Sequence, residues 1–418
     1  MNTHPERVVI VGAGQAGFQT ALSLREHKFE GPITIVGDEN CLPYQRPPLS
    51  KAYLTGSAGP EVLPLRPESF YQRHGIDMRF GDPVTAIDRP HSRVVLGSGT
   101  HVDYGHLVLA LGARPRRIPI PGADLAGVAS LHTREDADLI RAMMSPHARI
   151  VVVGGGFIGM EVAAAAAAAG HQVTIIVAAD RVMDRAVAPQ ISEYIAAAHT
   201  SRGTTVMLGM SVACIHGRDG KVTGVELVTG EVIPADLVVT GIGVLPTTDL
   251  AAEAGLAVSN GIVVDEQLIS SDPRISAIGD CARYPTVHAP GTVRLESVQN
   301  ASDHARHVAA RITGAPAAGY SAVPWFWTHQ FEMHIQIAGL GSPADQFMLH
   351  GDTATRRFSI LRFRAGTLAC VESVNNPSDH LAARKILGGT RPLTPNHAAE
   401  PEFSLKQFVA QAAAPLSA

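Results

Sequence analysis

Two glycine triplets carry the first chemical information in this chain. Gly12, Gly14 and Gly17 stand as G-x-G-x-x-G in VVIVGAGQAGFQTAL, and Gly154, Gly156 and Gly159 repeat the spacing in IVVVGGGFIGMEVA. Each follows a β-branched run and opens a helical pattern. In such a unit the first glycine permits the tight turn and the second lets the backbone approach a pyrophosphate. The third lets helix and strand pack closely. The helix N-terminus then offers unpaired N–H groups to the phosphates. One triplet alone is weak. Two, each set between a β-run and a helix and each followed by another β-run, predict two Rossmann-like units. Two dinucleotide sites in one chain imply electron transfer between two cofactors, with a bound flavin and a diffusing nicotinamide as the obvious pair.

The strand after each helix should end on a carboxylate that accepts hydrogen bonds from a ribose. ITIVGDEN ends on Asp38 and Glu39, and one of them suits that role. VTIIVAADRV ends on Val177, so the second unit lacks the acid at that place.

The elements around these loops must come from a chain of 418 residues, long enough for two or three domains. Hydrophobic residues make up 45% and charged residues 17%, which allows large buried cores. A formal charge of −4 carries no polyanion-binding signature, so no nucleic-acid partner is expected. Cys41, Cys214, Cys281 and Cys370 are far apart and show no zinc-type spacing, so no metal site is expected and reduced thiols fit best. MNTHPERVVIVGAG reads as a strand entering a turn, not a signal peptide. The alanine run Ala163–Ala169 is bracketed by Glu161 and His171 and is too short to span a bilayer. These readings predict a cytoplasmic protein with no membrane partner. RRFSILRFRAGTLACVESV, residues 356–374, reads as two antiparallel strands around an Ala-Gly turn.

Further segments appear in order: LPYQRPPLSKAYL at 42–54, VLALGARPR at 108–116, LVVTGIGVLP at 237–246, ISAIGDCAR at 275–283, LESVQN at 295–300 and PWFW at 324–327. With the glycine loops, they make nearly the whole chain resemble the FAD-dependent NAD(P)H:ferredoxin reductases of cytochrome P450 and Rieske oxygenase systems. The resemblance implies an α/β fold with two Rossmann-like domains of glutathione-reductase type and a C-terminal α+β domain. It implies an FAD domain from 1–113 and 247–322, an NAD(P) domain at 114–246 and a C-terminal domain at 323–418. The implied cofactors are FAD and NADH or NADPH. The implied partner is a [2Fe–2S] ferredoxin, and the implied state a monomer or weak homodimer.

The same resemblance assigns roles to matching positions. Gly12, Gly14 and Gly17 cradle the FAD pyrophosphate and Asp38 holds the adenosine ribose. Arg46 and Lys51 lie along the flavin. Val84 meets the adenine end, and Arg134 also contacts FAD. Asp280 takes the ribityl or phosphate region, and Val298 touches the pyrimidine edge. Glu161 faces Lys51 beside the nicotinamide, and these two are the residues closest to the reaction. Trp325 and Trp327 form an aromatic wall over the ring or simply core.

Three departures from the family pattern stand out. Val177 replaces the usual acid, and three readings remain open: weak or mixed coenzyme preference, retained NADH preference, or NADPH preference through Arg181 or Arg185. Thr328-His329-Gln330 follows the aromatic segment where relatives tend to carry Ser-Asp-Gln. His329 is read either as a donor near the flavin edge or as a solvated loop residue. Cys41 precedes Leu-Pro-Tyr, but nothing local marks it as a reactive thiolate. A basic patch for an acidic ferredoxin would draw on His304, Arg306, His307, Arg311, Arg384, Lys385 and Lys406. Two further function classes compete. One is an oxidase or dehydrogenase of the same fold with a degenerate NAD site. The other is a redox-responsive binding protein.

Overall fold

The structure is a computed structural model that describes residues 5–316 and 318–413. These gather into two compact units. The first joins the chain up to Gln45 with Pro60–Arg114 and Val244–Ala322; the second joins Arg46–Gly59, Pro115–Gly243 and Val323 onward.

The first unit is built on a five-stranded parallel sheet in the order Ile275–Ala277, His106–Leu109, Val8–Val11, Ile33–Gly37, Ile76–Phe80. Val8–Val11 and His106–Leu109 are buried along their whole length. That is what a strand covered on both faces requires, and it explains why these runs do not alternate. Helix Gln15–Glu26 crosses over from the first strand to the next and packs on helix Val298–Ile312, where Gln15 donates to the Ser302 hydroxyl at 3.1 Å.

The second unit repeats the plan. Its parallel sheet runs Thr205–Leu208, Gln172–Val177, Arg149–Val153, Leu237–Thr240, Val128–Ser130. Helix Phe157–Ala168 is rich in alanine and lies against the strands on either side of it; Ala163 and Ala166 are fully buried. A three-stranded antiparallel sheet, Val212–Arg218, Lys221–Leu227 and Val232–Pro234, adds a second layer. The C-terminal part is a five-stranded antiparallel sheet covered by helices Pro377–Leu387 and Leu405–Ala413. Within it Arg357–Arg364 pairs with Thr367–Val374 across Ala365 and Gly366, both at positive φ, as a two-residue hairpin turn demands. The Ala-Gly turn read from the sequence is therefore present.

Candidate active site

The two glycine loops have nearly the same local geometry. In the first, the backbone turns at Gly12 with φ +112°, and a Cβ there would lie 2.2 Å from the carbonyl oxygen of Ala110. A Cβ on Gly17 would lie 1.9 Å from the carbonyl oxygen of Gly12. In the second, Gly154 also has φ +112° and Gly159 would bring a Cβ to 2.3 Å from the Gly154 carbonyl oxygen. Gly14 has nothing within 4 Å of where its Cβ would stand, so the middle of the first loop is an open cradle. Gly14 and Gly156 are the N-caps of their helices and offer no side-chain cap. The first N–H groups of each helix are therefore available to an anion. Both loops fit a dinucleotide pyrophosphate.

The strand ends differ. Asp38 is exposed directly after Ile33–Gly37, while the Glu39 carboxylate accepts from the Tyr44 hydroxyl at 2.7 Å. In the second unit Val177 is buried, and its methyls sit 2.9 and 3.1 Å from where a Gly155 Cβ would be. Valine here closes the loop's underside and offers a ribose no acceptor. Arg181 is already engaged: its guanidinium pairs with Asp184 at 2.8 Å and donates to the carbonyls of Val187 and Asp184 at 2.7 and 2.6 Å. Asp180 and Arg185 are exposed.

A dense polar cluster of the second unit centres on Glu161, two residues after Gly159 in the second turn of helix Phe157–Ala168. Lys51 Nζ and Ser50 Oγ both donate to Glu161 Oε2 at 2.5 Å. Thr328 Oγ1 donates to Oε1 at 2.8 Å, and the His329 backbone N–H approaches the same oxygen at 3.4 Å. Behind Thr328, Gln330 Nε2 donates to the threonine hydroxyl at 3.2 Å, and Gln330 Oε1 meets His199 Nε2 at 3.0 Å. Glu161 is 5% exposed and Thr328 fully buried, whereas the Lys51 side chain is 24% exposed. The carboxylate is thus desolvated but satisfied on both oxygens, and the ammonium keeps one side toward solvent. A fixed charge pair of this kind can orient a polar head group without itself exchanging protons.

The sequence placed Lys51 and Glu161 together only through the family resemblance. It missed Ser50, whose one signal is its place directly before Lys51. It noted Thr328 as a departure but not as a partner of Glu161. His329 is exposed on the strand Trp325–Gln330, with its Nε2 3.1 Å from His334 Nδ1. Partial desolvation of its ring, the neighbouring His334 and Lys51 all push its pKa down, against the pull of Glu161.

The remaining candidates divide between the units. In the first, Val84 opens the strand Val84–Asp88 and Val298 opens helix Val298–Ile312 behind the Ser297 cap. Asp280 sits in the turn Gly279–Cys281, its carbonyl accepting from Arg294 at 3.0 Å. In the second, Arg46 donates to the carbonyl of His132 at 2.5 Å, and Arg134 is the first residue of helix Arg134–Met143. Trp325 stacks beside Trp327 at 5.2 Å, with Arg384 4.8 Å over its ring, and its buried indole N–H has no partner among the described residues.

The part of the suggested basic patch that lies on helix Val298–Ile312 does not survive folding, whereas Lys385 and Lys406 are exposed. His304 is fully buried, accepting the Gly279 N–H at 3.1 Å. Arg311 turns inward to the Ser276 hydroxyl at 2.6 Å. Arg306 is neutralised by Asp303 at 2.8 Å. The helical spacing of these residues follows the buried face of helix Val298–Ile312 as much as its exposed one, which composition could not distinguish.

Residues 6–305 match the family described as pyridine nucleotide-disulphide oxidoreductase, and residues 325–409 match the reductase C-terminal domain. The chain belongs to the pyridine nucleotide-disulphide oxidoreductases; it is a flavoprotein oxidoreductase whose cofactors are FAD and NAD(P)H. Within that family it is 50% identical over 404 residues to rhodocoxin reductase of Rhodococcus erythropolis, covering 97% of this chain and 94% of that protein. The solved ferredoxin reductase for the CYP199A2 system of Rhodopseudomonas palustris superposes with a TM-score of 0.94 at 46% identity, over 97% of this chain and 100% of that one. The reductase in a covalent putidaredoxin reductase–putidaredoxin complex also gives 0.94, at 39% identity, over 97% and 99% of the two chains. No helix among the described residues is long and apolar enough to cross a membrane.

Proposed function

We propose that this protein passes electrons from NAD(P)H through FAD to a [2Fe–2S] ferredoxin that supplies a cytochrome P450 or Rieske oxygenase. The observation that carries the reading is the Lys51–Glu161–Thr328 cluster, built on the second turn of the helix that the second glycine loop opens. Similarity to reductases named for small redox partners supports the choice of acceptor. Bound FAD supplies the conversion of a two-electron hydride donor into a source of single electrons.

In this reading the chain's own residues bind, orient and exclude water. Gly12, Gly14 and Gly17 take the FAD pyrophosphate, and Gly154, Gly156 and Gly159 that of the nicotinamide coenzyme. Asp38 holds the adenosine ribose; Arg46, Val84, Arg134, Asp280, Val298 and Trp325 complete the flavin contacts. Lys51 and Glu161 position the nicotinamide. Neither donates a proton, because hydride transfer needs none from them. Val177 removes both the ribose acceptor and the repulsion of a 2′-phosphate, while Arg181 is committed elsewhere. NADH and NADPH should then differ by less than about tenfold, or about 1.4 kcal/mol. The proposal includes a cytoplasmic location, which the four widely spaced cysteines favour.

The test is anaerobic stopped-flow of the purified protein against each coenzyme, followed by reduction of an added [2Fe–2S] ferredoxin. Fast flavin bleaching by either coenzyme and onward ferredoxin reduction are expected. Bleaching by a small metabolite but by neither coenzyme would overturn the reading in favour of an oxidase or dehydrogenase.

A further inference from the structure

Cys214, His216 and Glu226 lie outside the site described above, on the antiparallel pair Val212–Arg218 and Lys221–Leu227. Cys214 and His216 are two apart on one strand, so they share a face. Glu226 is the direct partner of Cys214 across the ladder, while Gly224 stands opposite His216. The register shifts on both sides of this stretch, between Val212 and Cys214 and between His216 and Gly217. Irregularities of that kind re-aim side chains. The result is three donor atoms of different chemistry facing one point. Cys214 Sγ is 3.4 Å from Glu226 Oε2 and 3.8 Å from His216 Nε2, and the last two are 2.7 Å apart.

The shared nitrogen decides what such a trio can do. In a nucleophilic relay the imidazole uses opposite nitrogens, one for the thiol and one for the carboxylate. Here both contacts fall on Nε2, so the atoms converge instead of forming a chain. Convergence suits a metal ion. In a tetrahedral zinc site, sulfur lies about 3.6 Å from nitrogen or oxygen ligands, and nitrogen about 3.4 Å from oxygen. The two sulfur distances already match within a few tenths of an ångström. The imidazole–carboxylate contact needs to open by about 0.7 Å, which a side-chain rotation provides.

We propose that Cys214, His216 and Glu226 form a surface site for Zn²⁺ or a similar thiophilic divalent cation, with the fourth position left to water. Thiolate, imidazole and carboxylate together select zinc over hard cations such as Mg²⁺ and Ca²⁺. Binding replaces the hydrogen bonds of the thiol and of His216 Nε2 to Glu226, releases the thiol proton to solvent and leaves the imidazole proton on Nδ1, so that Nε2 can ligate. The site is independent of the electron-transfer reading, and none of its three residues belongs to the cluster around Glu161.

The test uses the FAD-loaded, tag-free protein. Co²⁺ titration should give red d–d bands, clear of the flavin, of tetrahedral intensity. Zn²⁺ should displace the Co²⁺, and Cys214→Ser and His216→Ala should each weaken binding by more than about tenfold, the loss that removing even a ligand's hydrogen-bond partner can bring. Without any variant, Zn²⁺ should slow iodoacetamide alkylation of the Cys214 peptide at least tenfold on the same scale of about ten to a hundred, reversibly with EDTA, while the Cys41 peptide is unaffected. Co²⁺ spectra unchanged by both substitutions, or Cys214 alkylation unaffected by Zn²⁺, would overturn the proposal.

Discussion

Thr328→Val isolates the contact that holds Glu161. Valine matches threonine in shape and removes only the hydroxyl. That hydroxyl donates to Glu161 Oε1 at 2.8 Å and accepts from Gln330 Nε2 at 3.2 Å. After the change, Oε1 keeps only the long 3.4 Å approach of the His329 N–H, and Gln330 Nε2 keeps only Met183 Sδ at 3.6 Å. Thr328 is fully buried, so no solvent is at hand to replace the lost donor. A hydrogen bond to a charged group contributes about 1.5–3 kcal/mol, so a loss of about 2 kcal/mol is expected. For a unit of this size that corresponds to a fall of roughly 4–8 °C in the unfolding midpoint of the second unit by calorimetry. If the carboxylate orients the nicotinamide, the rate of flavin reduction falls by up to about thirtyfold, since about 1.4 kcal/mol is tenfold. The decisive form is a double-mutant cycle with Glu161→Ala, read both by calorimetry and by anaerobic stopped-flow. Coupling of more than about 1 kcal/mol is expected for residues in direct contact. Additivity within about 0.5 kcal/mol in both readouts would refute the argument that Thr328 acts through Glu161.

Gly14→Ala should fold, because its Cβ meets nothing within 4 Å, but purify with less FAD; Gly17→Ala should fail to accumulate, because its Cβ would lie 1.9 Å from the Gly12 carbonyl oxygen. Normal flavin content in Gly14→Ala, measured from the visible spectrum, would count against the first loop as the pyrophosphate cradle. Arg181→Ala should leave the ratio of kcat/KM for NADPH and NADH within about twofold while lowering thermal stability, because its guanidinium serves Asp184 and Val187; a selective loss with NADPH would show that it reaches the 2′-phosphate. Stability should also fall in mild acid. His106 and His304 are held neutral in the first unit, their pKa lowered from 6.5 to about 3 by burial, with Arg311 adding to the first and His307 to the second. The unfolded chain gains protons below pH 6.5 that the folded one refuses until about pH 3, so the stability is whole above 6.5 and is lost as pH drops. The loss is about 1.4 kcal/mol per pH unit for each histidine. Urea unfolding between neutral pH and mild acid should be flattened by His304→Gln; an unaltered slope would show that His304 is not the group taking up protons.

What the sequence determined by itself was local. A glycine at positive φ, a glycine under a carbonyl and a β-branched run before them are properties of a dozen neighbouring residues, and both loops were legible for that reason. The Ala-Gly hairpin at 365–366 was legible on the same ground. The helical part of the basic patch failed because charge and helical spacing do not say which face of Val298–Ile312 is buried; tertiary packing decides that, and it sets His304 against Tyr284 and Tyr320. Tertiary structure alone joined Glu161 to Thr328, 167 residues apart, and set Glu226 against Cys214 through a register that includes shifts no spacing rule records. It also answered what a valine does at the end of the strand Gln172–Val177: it packs beneath Gly155. Long-range contacts of this kind depend on which surfaces meet once the chain has collapsed, and a single sequence carries no local signal for them.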